Sequence, residues 1–291
     1  MPMTDNPSAR SMPEKPTAAN PPLPALGPRA MFYCHDAYGL GHVRRVVALA
    51  GAVARYRPET SLLVLTGSGR VTDCNPPPNL DYVKLPDVAK AGVYRGLASG
   101  YTGDRMRRDH GHGGLARVRG ALIEAAAESF APHLFLVEDA PSGLGGETVN
   151  ALLCLRAARP AVRLVMALKD VYLDAPRTRA LWRKSGDYHL LDEVFDHILV
   201  FSDPRVHDPV HEYRLSAAAR AKVIYCGYFH RDEPLTAAEE IRARLRVAAG
   251  QPLVAVTVGG GADGGAIVRA YLEAAARPEL AGVASFVVTG A

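Results

Sequence analysis

From Ala30 onward, short apolar runs rich in β-forming residues alternate with longer stretches of helical periodicity. Near-continuous apolar strands separated by helices are what a parallel sheet covered on both faces requires. The runs are AMFYCH (30–35), SLLVLT (61–66), LDYVKL (80–85), HLFLVE (133–138), VRLVMAL (162–168), DHILVF (196–201) and KVIYC (222–226). Right-handed strand–helix–strand crossovers then predict a doubly wound α/β domain.

A second Rossmann-like unit is predicted to follow the first. The strand PLVAVTV (252–258) precedes a glycine-rich turn, a helix from about Gly265 to Ala276, and the strand ASFVVT (284–289). Because one strand–helix–strand unit cannot cover a sheet, we expect this second domain to be incomplete. The predicted division is a disordered tail (1–29), a first domain (30–228) and the beginning of a second domain (229–291).

Composition narrows the classes of function. The 291 residues are 48% hydrophobic and 22% charged, which is ordinary for a globular protein with a large core. The formal net charge of +4 comes from scattered basic residues without interleaved aromatics, so nucleic acid is not an expected partner. Peripheral contact with an anionic membrane surface stays open. The four cysteines form no CxxC pair, which disfavours a zinc knuckle or redox motif.

The N-terminal stretch and the apolar runs bear on localisation. The first 29 residues are rich in Pro, Ser, Ala and Asn and lack the apolar core of a signal peptide. No apolar run approaches the roughly 18 residues needed to span a bilayer. With free thiols expected in a reducing compartment, these features predict a cytoplasmic protein.

A turn dense in polar residues, CHDAYGLGHVRR (34–45), directly follows the first predicted strand. Its candidate site residues are His35, Asp36, Gly39, Gly41 and His42. Arg44 and Arg45 follow in the early turns of the next helix, where they either reach acidic partners or face an anionic ligand. The helix dipole disfavours the charged form of a histidine in the first helical turn, so His42 is expected to be neutral, as a general base must be. The alternative is that His42 caps the helix or packs against a neighbour.

Acidic residues follow two further strands. Glu138 and Asp139 lie where the run 133–138 ends, and Glu147 lies near the start of the next helix. Because ligands of open α/β sheets bind beyond the carboxyl ends of strands, we expect these residues to converge with the turn at 34–45. Glu138 and Glu147 are predicted to contact a substrate.

A third polar cluster comes after the run 162–168. Its residues Lys169, Asp170 and Asp174 are expected at the same edge of the sheet. Asp170 and Asp174 are predicted to be helix N-caps, because aspartate is among the preferred residues at that position.

The second unit carries a glycine loop that satisfies G-x-G-x-x-G between a strand and a helix. Its residues Gly259, Gly260, Gly261, Asp263 and Gly264 are candidates for phosphate binding. Glycines let the backbone approach a phosphate, and the helix N-terminus offers unpaired N–H groups. No acid follows about 20 residues later, which disfavours NAD, and no GxxxxGK[ST] exists for a P-loop. A tight turn without a ligand is the alternative.

The segment from Pro86 to about Gly114 is rich in Gly, Arg and Asp and predicts a long loop. His110 and His112 lie in it without a third histidine nearby, which favours a solvated loop over a metal site. The sequence therefore predicts neither a metal centre nor a resident cofactor.

The motifs HDAYGLGHVRR and VTVGGGADGG resemble those of the two-domain GT-B glycosyltransferases. The resemblance is closest to predicted glycosyltransferases similar to the family 28 enzyme that adds N-acetylglucosamine to the lipid-linked peptidoglycan precursor. The stretches LVEDAPSGLGGE, ALKDVYLDAP and VIYCGYF also resemble that group. The likeness covers about residues 30–291.

The resemblance implies that the first domain binds an acceptor and the second binds a nucleotide-sugar, with the reaction in the cleft between them. It implies metal-independent transfer, because backbone amides and a helix dipole hold the diphosphate. His42 would act in catalysis or contact the donor, and Gly259 to Gly264 would lie near the donor phosphates. The later donor-domain residues that hold the base, ribose and sugar have no counterpart in these 291 residues.

Three functions fit these features. The first is a glycosyltransferase in which His42, or an acid such as Glu138, deprotonates an acceptor hydroxyl. Its substrates would be a UDP- or dTDP-sugar donor and a small-molecule or lipid-linked acceptor. The second is a UDP-sugar 2-epimerase on the same fold. The third is a non-catalytic acceptor-binding or regulatory module.

Overall fold

The computed structural model describes residues 27–35, 40–86, 112–229, 236–258 and 264–289. The strands are β1 (Arg29–Cys34), β2 (Ser61–Thr66), β3 (Leu80–Lys84), β4 (Leu134–Glu138), β5 (Arg163–Lys169), β6 (His197–Phe201), β7 (Val223–Tyr225), β8 (Leu253–Thr257) and β9 (Ala284–Val288). Every apolar run predicted as a strand forms one, so the prediction of strand positions is confirmed.

Two parallel sheets are present in this part of the chain. The larger has seven strands in the order β3-β2-β1-β4-β5-β6-β7, and the smaller pairs β8 with β9. Strand β1 has β2 on one side and β4 on the other, so the order of strands reverses beside β1. Such a reversal opens a crevice beyond the carboxyl ends of the two central strands.

Helices connect most of the strands. The α-helices are α1 (Gly41–Tyr56), α2 (His112–Phe130), α3 (Val149–Ala158), α4 (Ala175–Ser185), α5 (Asp187–His189), α6 (Pro209–Glu212), α7 (Ala217–Arg220), α8 (Ala238–Arg244) and α9 (Gly265–Ala275). Short 3₁₀ turns lie at Thr72–Cys74, Leu144–Gly146 and Pro278–Leu280, and a π turn lies at Leu190–Val194. None of the described helices is both long enough and apolar enough to cross a bilayer.

The large sheet is buried on both faces. Helix α1 packs on one face of this sheet. Its buried residues form a single apolar stripe, made of Val43, Val46, Val47 and Ala50. Burying each valine stabilises the fold by about 1.5–3 kcal/mol. The opposite face packs against α2, α3 and α4, with Trp182 fully buried. Helix α1 is thereby fixed with its first turn at the carboxyl edge of β1.

Some predicted features need correction or fall outside the description. Asp174 caps α4 by accepting from the Arg177 N–H, as predicted. Asp170 caps no helix, since its carboxylate accepts from the adjacent Val171 N–H. Residues 87–111 of the predicted loop from Pro86 to about Gly114, His110 among them, lie outside the described residues, and α2 begins at His112.

The loop after β4 adopts backbone conformations that favour glycine. Gly143 and Gly146 have φ values of +68° and +89°, and Asp139 has φ +75°. The loop is anchored by Asp187, whose Oδ1 accepts from the Ser142 N–H at 3.0 Å. Burial raises the pKa of Asp187 above its ordinary value, against the hydrogen bonds that it accepts.

Gly143 and Gly146 both have positive φ, but a side chain would clash with neighbouring atoms only at Gly143. Substituting each by alanine therefore distinguishes the cost of a steric clash from the cost of backbone strain. A Cβ at Gly143 would lie 2.7 Å from Thr148 Cγ2 and 3.0 Å from the Tyr33 hydroxyl, whereas one at Gly146 would meet nothing within 4 Å. We expect Gly143→Ala to lower the free energy of unfolding by about 3 kcal/mol and Gly146→Ala by about 1 kcal/mol. Urea denaturation measures both, and equal losses would contradict this packing.

Asp187 predicts a pH dependence of stability. Because its folded pKa lies above the unfolded value, the native state keeps a proton that the unfolded state releases, and stability falls as pH rises through that window. Asp187→Asn cannot ionise, so it should gain stability relative to wild type at pH 7. That gain should vanish below the unfolded pKa.

Asp196 is the control, because its contribution to stability changes with pH in the opposite direction. Despite partial burial, hydrogen bonds from Arg156 and the Leu164 N–H hold the pKa of Asp196 below its usual value. Its contribution is present above the unfolded pKa and is lost as pH falls through the folded pKa. Asp196→Asn should therefore be less stable than wild type at pH 7, with the deficit shrinking in acid. Chemical denaturation of both variants between pH 3 and 7 checks the signs.

Candidate functional site

Glu138 joins the end of β4 to the first turn of α1. Its side chain is fully buried, and Oε2 lies 2.8 Å from Nδ1 of His42. The Arg45 guanidinium pairs with the other carboxylate oxygen, Oε1. His42 and Arg45 are three residues apart on α1 and therefore share one face of that helix. One buried carboxylate thus fixes both side chains, and their cationic and N–H groups satisfy its charge.

The His42–Glu138 contact has a defined chemical consequence. When Nδ1 donates its proton to Glu138, the lone pair of the neutral ring lies on Nε2. A ring in that tautomer can accept a proton, and a buried carboxylate stabilises the imidazolium that results. His42 is 21% exposed, so the ring is accessible from outside while its partner is not.

A second buried carboxylate lies beside the first. Asp139 Oδ1 is 2.9 Å from the Lys169 ammonium at the end of β5, and Oδ2 is 3.9 Å from Nδ1 of His35 at the end of β1. The rings of His35 and His42 are 4.6 Å apart between centroids. The structure therefore brings together the three polar clusters that follow β1, β4 and β5.

Burial and neighbouring charges shift the pKa values of two groups in this cluster, His35 and Asp139. Burial lowers the pKa of His35 to about 4, although Asp139 acts in the opposite direction, so His35 is neutral at pH 7. Burial alone would raise the pKa of Asp139, but His42, His35 and Lys169 together hold it below its usual value. The pair at neutral pH is therefore an uncharged imidazole beside a carboxylate.

A cavity of about 380 Å³ opens beside the cluster. The three cationic side chains that line it are Arg44, Arg45 and Lys169, and the three aromatic ones are Phe201, Tyr228 and Phe229. The rings of Phe201 and Phe229 lie 4.4 Å apart, and the Arg45 guanidinium lies over Phe229. The cavity therefore offers positive charge and flat apolar surface at the carboxyl edge of the sheet.

Glu147 is engaged within the protein. Arg119 donates two hydrogen bonds of 2.6 Å to its carboxylate, and the Tyr33 hydroxyl donates a third at 2.5 Å. Arg119 and Glu147 are 0% and 1% exposed. Burial alone would lower the pKa of Arg119, but the hydrogen bonds and charge of Glu147 outweigh it and raise that pKa. The predicted contact of Glu147 with a substrate stays a prediction that nothing in this arrangement supports.

The glycine positions are only partly described. Gly41 begins α1 and lines the cavity. Gly264 precedes α9, and a Cβ there would lie 2.2 Å from Cβ of Val258, so close packing of strand and helix requires glycine. Asp36, Gly39, Gly259, Gly260, Gly261 and Asp263 lie outside the described residues. Their predicted roles stay predictions.

Sequence reasoning places Lys169 at this edge of the sheet but missed its partner. The pairing of Lys169 with Asp139 carries no local sequence signal, because the two residues are 30 positions apart. Sequence reasoning also missed the buried cation beside Glu147. Arg119 lies mid-helix, where an arginine is ordinarily solvent-exposed. A buried carboxylate at Glu147 explains its burial, and that partner is visible only in three dimensions.

Solved structures that resemble this chain include glycosyltransferases and a putative UDP-N-acetylglucosamine 2-epimerase from Listeria monocytogenes, which matches with a TM-score of 0.49 and 10% identity, over 90% of this chain and 62% of its own. A glycosyltransferase from Rickettsia africae matches with a TM-score of 0.56 and 8% identity, over 90% of this chain and 68% of its own. The glycosyltransferase SnogD from Streptomyces nogalater matches with a TM-score of 0.50 and 18% identity, over 91% and 66%. HepE from Anabaena in complex with UDP-glucose has a TM-score of 0.46 and 14% identity, over 89% and 60%.

The two matches with TM-scores of 0.56 and 0.50 show the fold class. The chain has a GT-B-like α/β fold, in which a doubly wound parallel sheet precedes a second parallel strand–helix–strand unit. It spans 60% to 68% of the length of the four structures. No family model matches the sequence, and no curated protein does.

The Arg119–Glu147 pair predicts a strong dependence of stability on both partners. Arg119→Met leaves a buried carboxylate without its cation and should cost about 3–5 kcal/mol of unfolding free energy. The double variant Arg119→Met/Glu147→Gln should cost clearly less than the sum of the single variants. Arg156→Met, at a partly exposed pair with Asp196, serves as control and should cost about 1 kcal/mol.

Urea denaturation of the four variants measures this cycle. Additive losses would contradict the coupling. A Glu147→Gln variant with unchanged stability and weakened substrate binding would instead support the substrate contact predicted from the sequence.

Proposed function

We propose that the protein is a glycosyltransferase that moves a sugar from a nucleotide-sugar donor, of the UDP or dTDP type, to an acceptor hydroxyl. The observation that carries the proposal is the His42–Glu138 pair at the point where the strand order of a GT-B-like sheet reverses. The GT-B-like fold supports this class of reaction, and the pair supplies the proton acceptor that it requires.

In the proposed reaction, His42 takes the proton of the acceptor hydroxyl. The oxygen attacks the anomeric carbon, the bond from that carbon to the diphosphate breaks, and the nucleoside diphosphate leaves with the electron pair. Glu138 is fully buried and paired on both oxygens, so its role in this proposal is to position His42 and stabilise its charged form. Glu138 as the base itself is disfavoured by the same contacts.

The remaining parts of the proposal concern the two substrates. The cavity beside Arg44 and Lys169 would receive the acceptor, a small molecule or a lipid-linked one, as the resemblance to the peptidoglycan-precursor enzymes suggests. Backbone amides at the N-terminus of α9, next to Gly264, would stabilise the leaving diphosphate without a metal ion.

The proposal predicts how turnover responds to changes in the pair. The full-length protein should turn over a nucleotide-sugar from a panel of UDP- and dTDP-sugars, and His42→Ala should lower kcat about 10²-fold or more. Glu138→Gln keeps the shape but removes the charge, so it should lower kcat with little change in KM. His211→Ala, at an 84% exposed histidine beside Glu212, is the matched control and should leave kcat unchanged.

Product analysis distinguishes the competing functions. Transfer releases the nucleoside diphosphate, whereas a 2-epimerase would yield an epimerised nucleotide-sugar and no free UDP. Absence of both turnover and nucleotide-sugar binding in the full-length protein would overturn the proposal and favour a non-catalytic module.

A further inference from the structure

Three side chains at the carboxyl edge of the sheet form a cluster with the donor set of a metal site. His35, His42 and Asp139 each bring one ligand atom, and the three atoms lie within 4.8 Å of one another. They come from the end of β1, the first turn of α1 and the residue after β4. In the described part of the chain no other group of histidine, cysteine or carboxylate side chains converges in this way.

We propose that His35, His42 and Asp139 bind one transition-metal dication of the zinc class. Two imidazoles and one carboxylate are the ligands that Zn²⁺ and its neighbours accept, and three protein ligands leave a position open for water or another small ligand. The sequence analysis predicts that these segments converge but not that they form a metal centre, because the ligands lie 7 and 97 residues apart, without a recognisable spacing.

The first support is a buried ring nitrogen that has no hydrogen-bond partner in the described structure. This atom is Nδ1 of His35, which is inaccessible to solvent. It lies 3.9 Å from Asp139 Oδ2, which is too long for a hydrogen bond. Two ligands on a tetrahedral zinc ion are about 3.3 Å apart, so a small inward movement of the two side chains would suffice. Buried polar atoms are otherwise almost always satisfied.

The second support is the set of groups behind the ligands. Metal-bound histidines ordinarily donate their other ring N–H to a carboxylate, and Glu138 lies 2.8 Å from Nδ1 of His42. The Lys169 ammonium forms an ion pair with Asp139 Oδ1 at 2.9 Å, and the other oxygen, Oδ2, is the one nearer His35. Asp139 is also fixed by its left-handed backbone, φ +75°, a conformation that aspartate and asparagine tolerate.

Metal binding would have a consequence for transfer, and this part rests on the proposed function. With Nδ1 donated to Glu138, His42 would bind the ion through Nε2, the nitrogen that would otherwise take the acceptor proton. A metal-bound His42 cannot serve as the base. The metal-bound protein and the transfer-competent protein would therefore be different states.

Metal uptake tests the proposal without any assay of sugar transfer. Full-length protein without a polyhistidine tag is stripped with EDTA and dialysed against micromolar Zn²⁺, and bound zinc is measured by atomic emission. We expect about one zinc ion per chain, and a visible Co²⁺ absorption spectrum of a four- or five-coordinate site with nitrogen ligands. Both His35→Asn and Asp139→Asn should weaken binding at least about ten-fold.

His211→Ala is the control, because it removes an exposed histidine that also lies near a carboxylate. It should keep the wild-type affinity. Asp139→Asn is nearly isosteric, so it tests the site even if His35→Asn fails to fold, and thermal unfolding in EDTA checks both. No stoichiometric zinc uptake by the wild type, or uptake that both variants retain, would overturn the proposal whatever the outcome of the transfer assays.

Discussion

The pairing of the Glu138 carboxylate with the first turn of α1 is the contact on which the site depends. A fully buried carboxylate is costly unless charged or N–H partners surround it, and His42 and Arg45 supply those partners. The apolar stripe of α1 fixes the helix on the sheet, and the ion pair fixes the side chains at its first turn. Helix α1 therefore contributes both to the hydrophobic core and to the candidate site.

The reversal of strand order beside β1 makes this arrangement feasible. It places the ends of β1 and β4 next to each other at one edge of the sheet, where backbone groups and side chains face an open crevice. Asp139, His35 and Lys169 form a second charged layer there. The two adjacent carboxylates can both be buried because each is paired with a cation, Glu138 with Arg45 and Asp139 with Lys169.

Much of the fold was predictable because its signals are local. Strand positions follow from apolar runs of β-forming residues, and the cap of α4 at Asp174 follows from a side chain that reaches its own helix. The convergence of three strand ends also followed, from topology alone. The wrong prediction at Asp170 arose because aspartate can satisfy a neighbouring N–H as readily as it caps a helix. Asp174 caps the helix and Asp170 does not, because the helix begins at Ala175, directly after Asp174.

The sequence by itself determined the parallel α/β architecture and the edge of the sheet at which polar residues gather, because periodicity and strand direction are properties of short segments. Only the tertiary structure decided the partners. Glu138 and Glu147 carry the same carboxylate and are both predicted to contact a substrate, yet one meets a partly exposed histidine and the other meets the buried Arg119. Pairing depends on distances between residues far apart in the chain, and no local pattern encodes those distances.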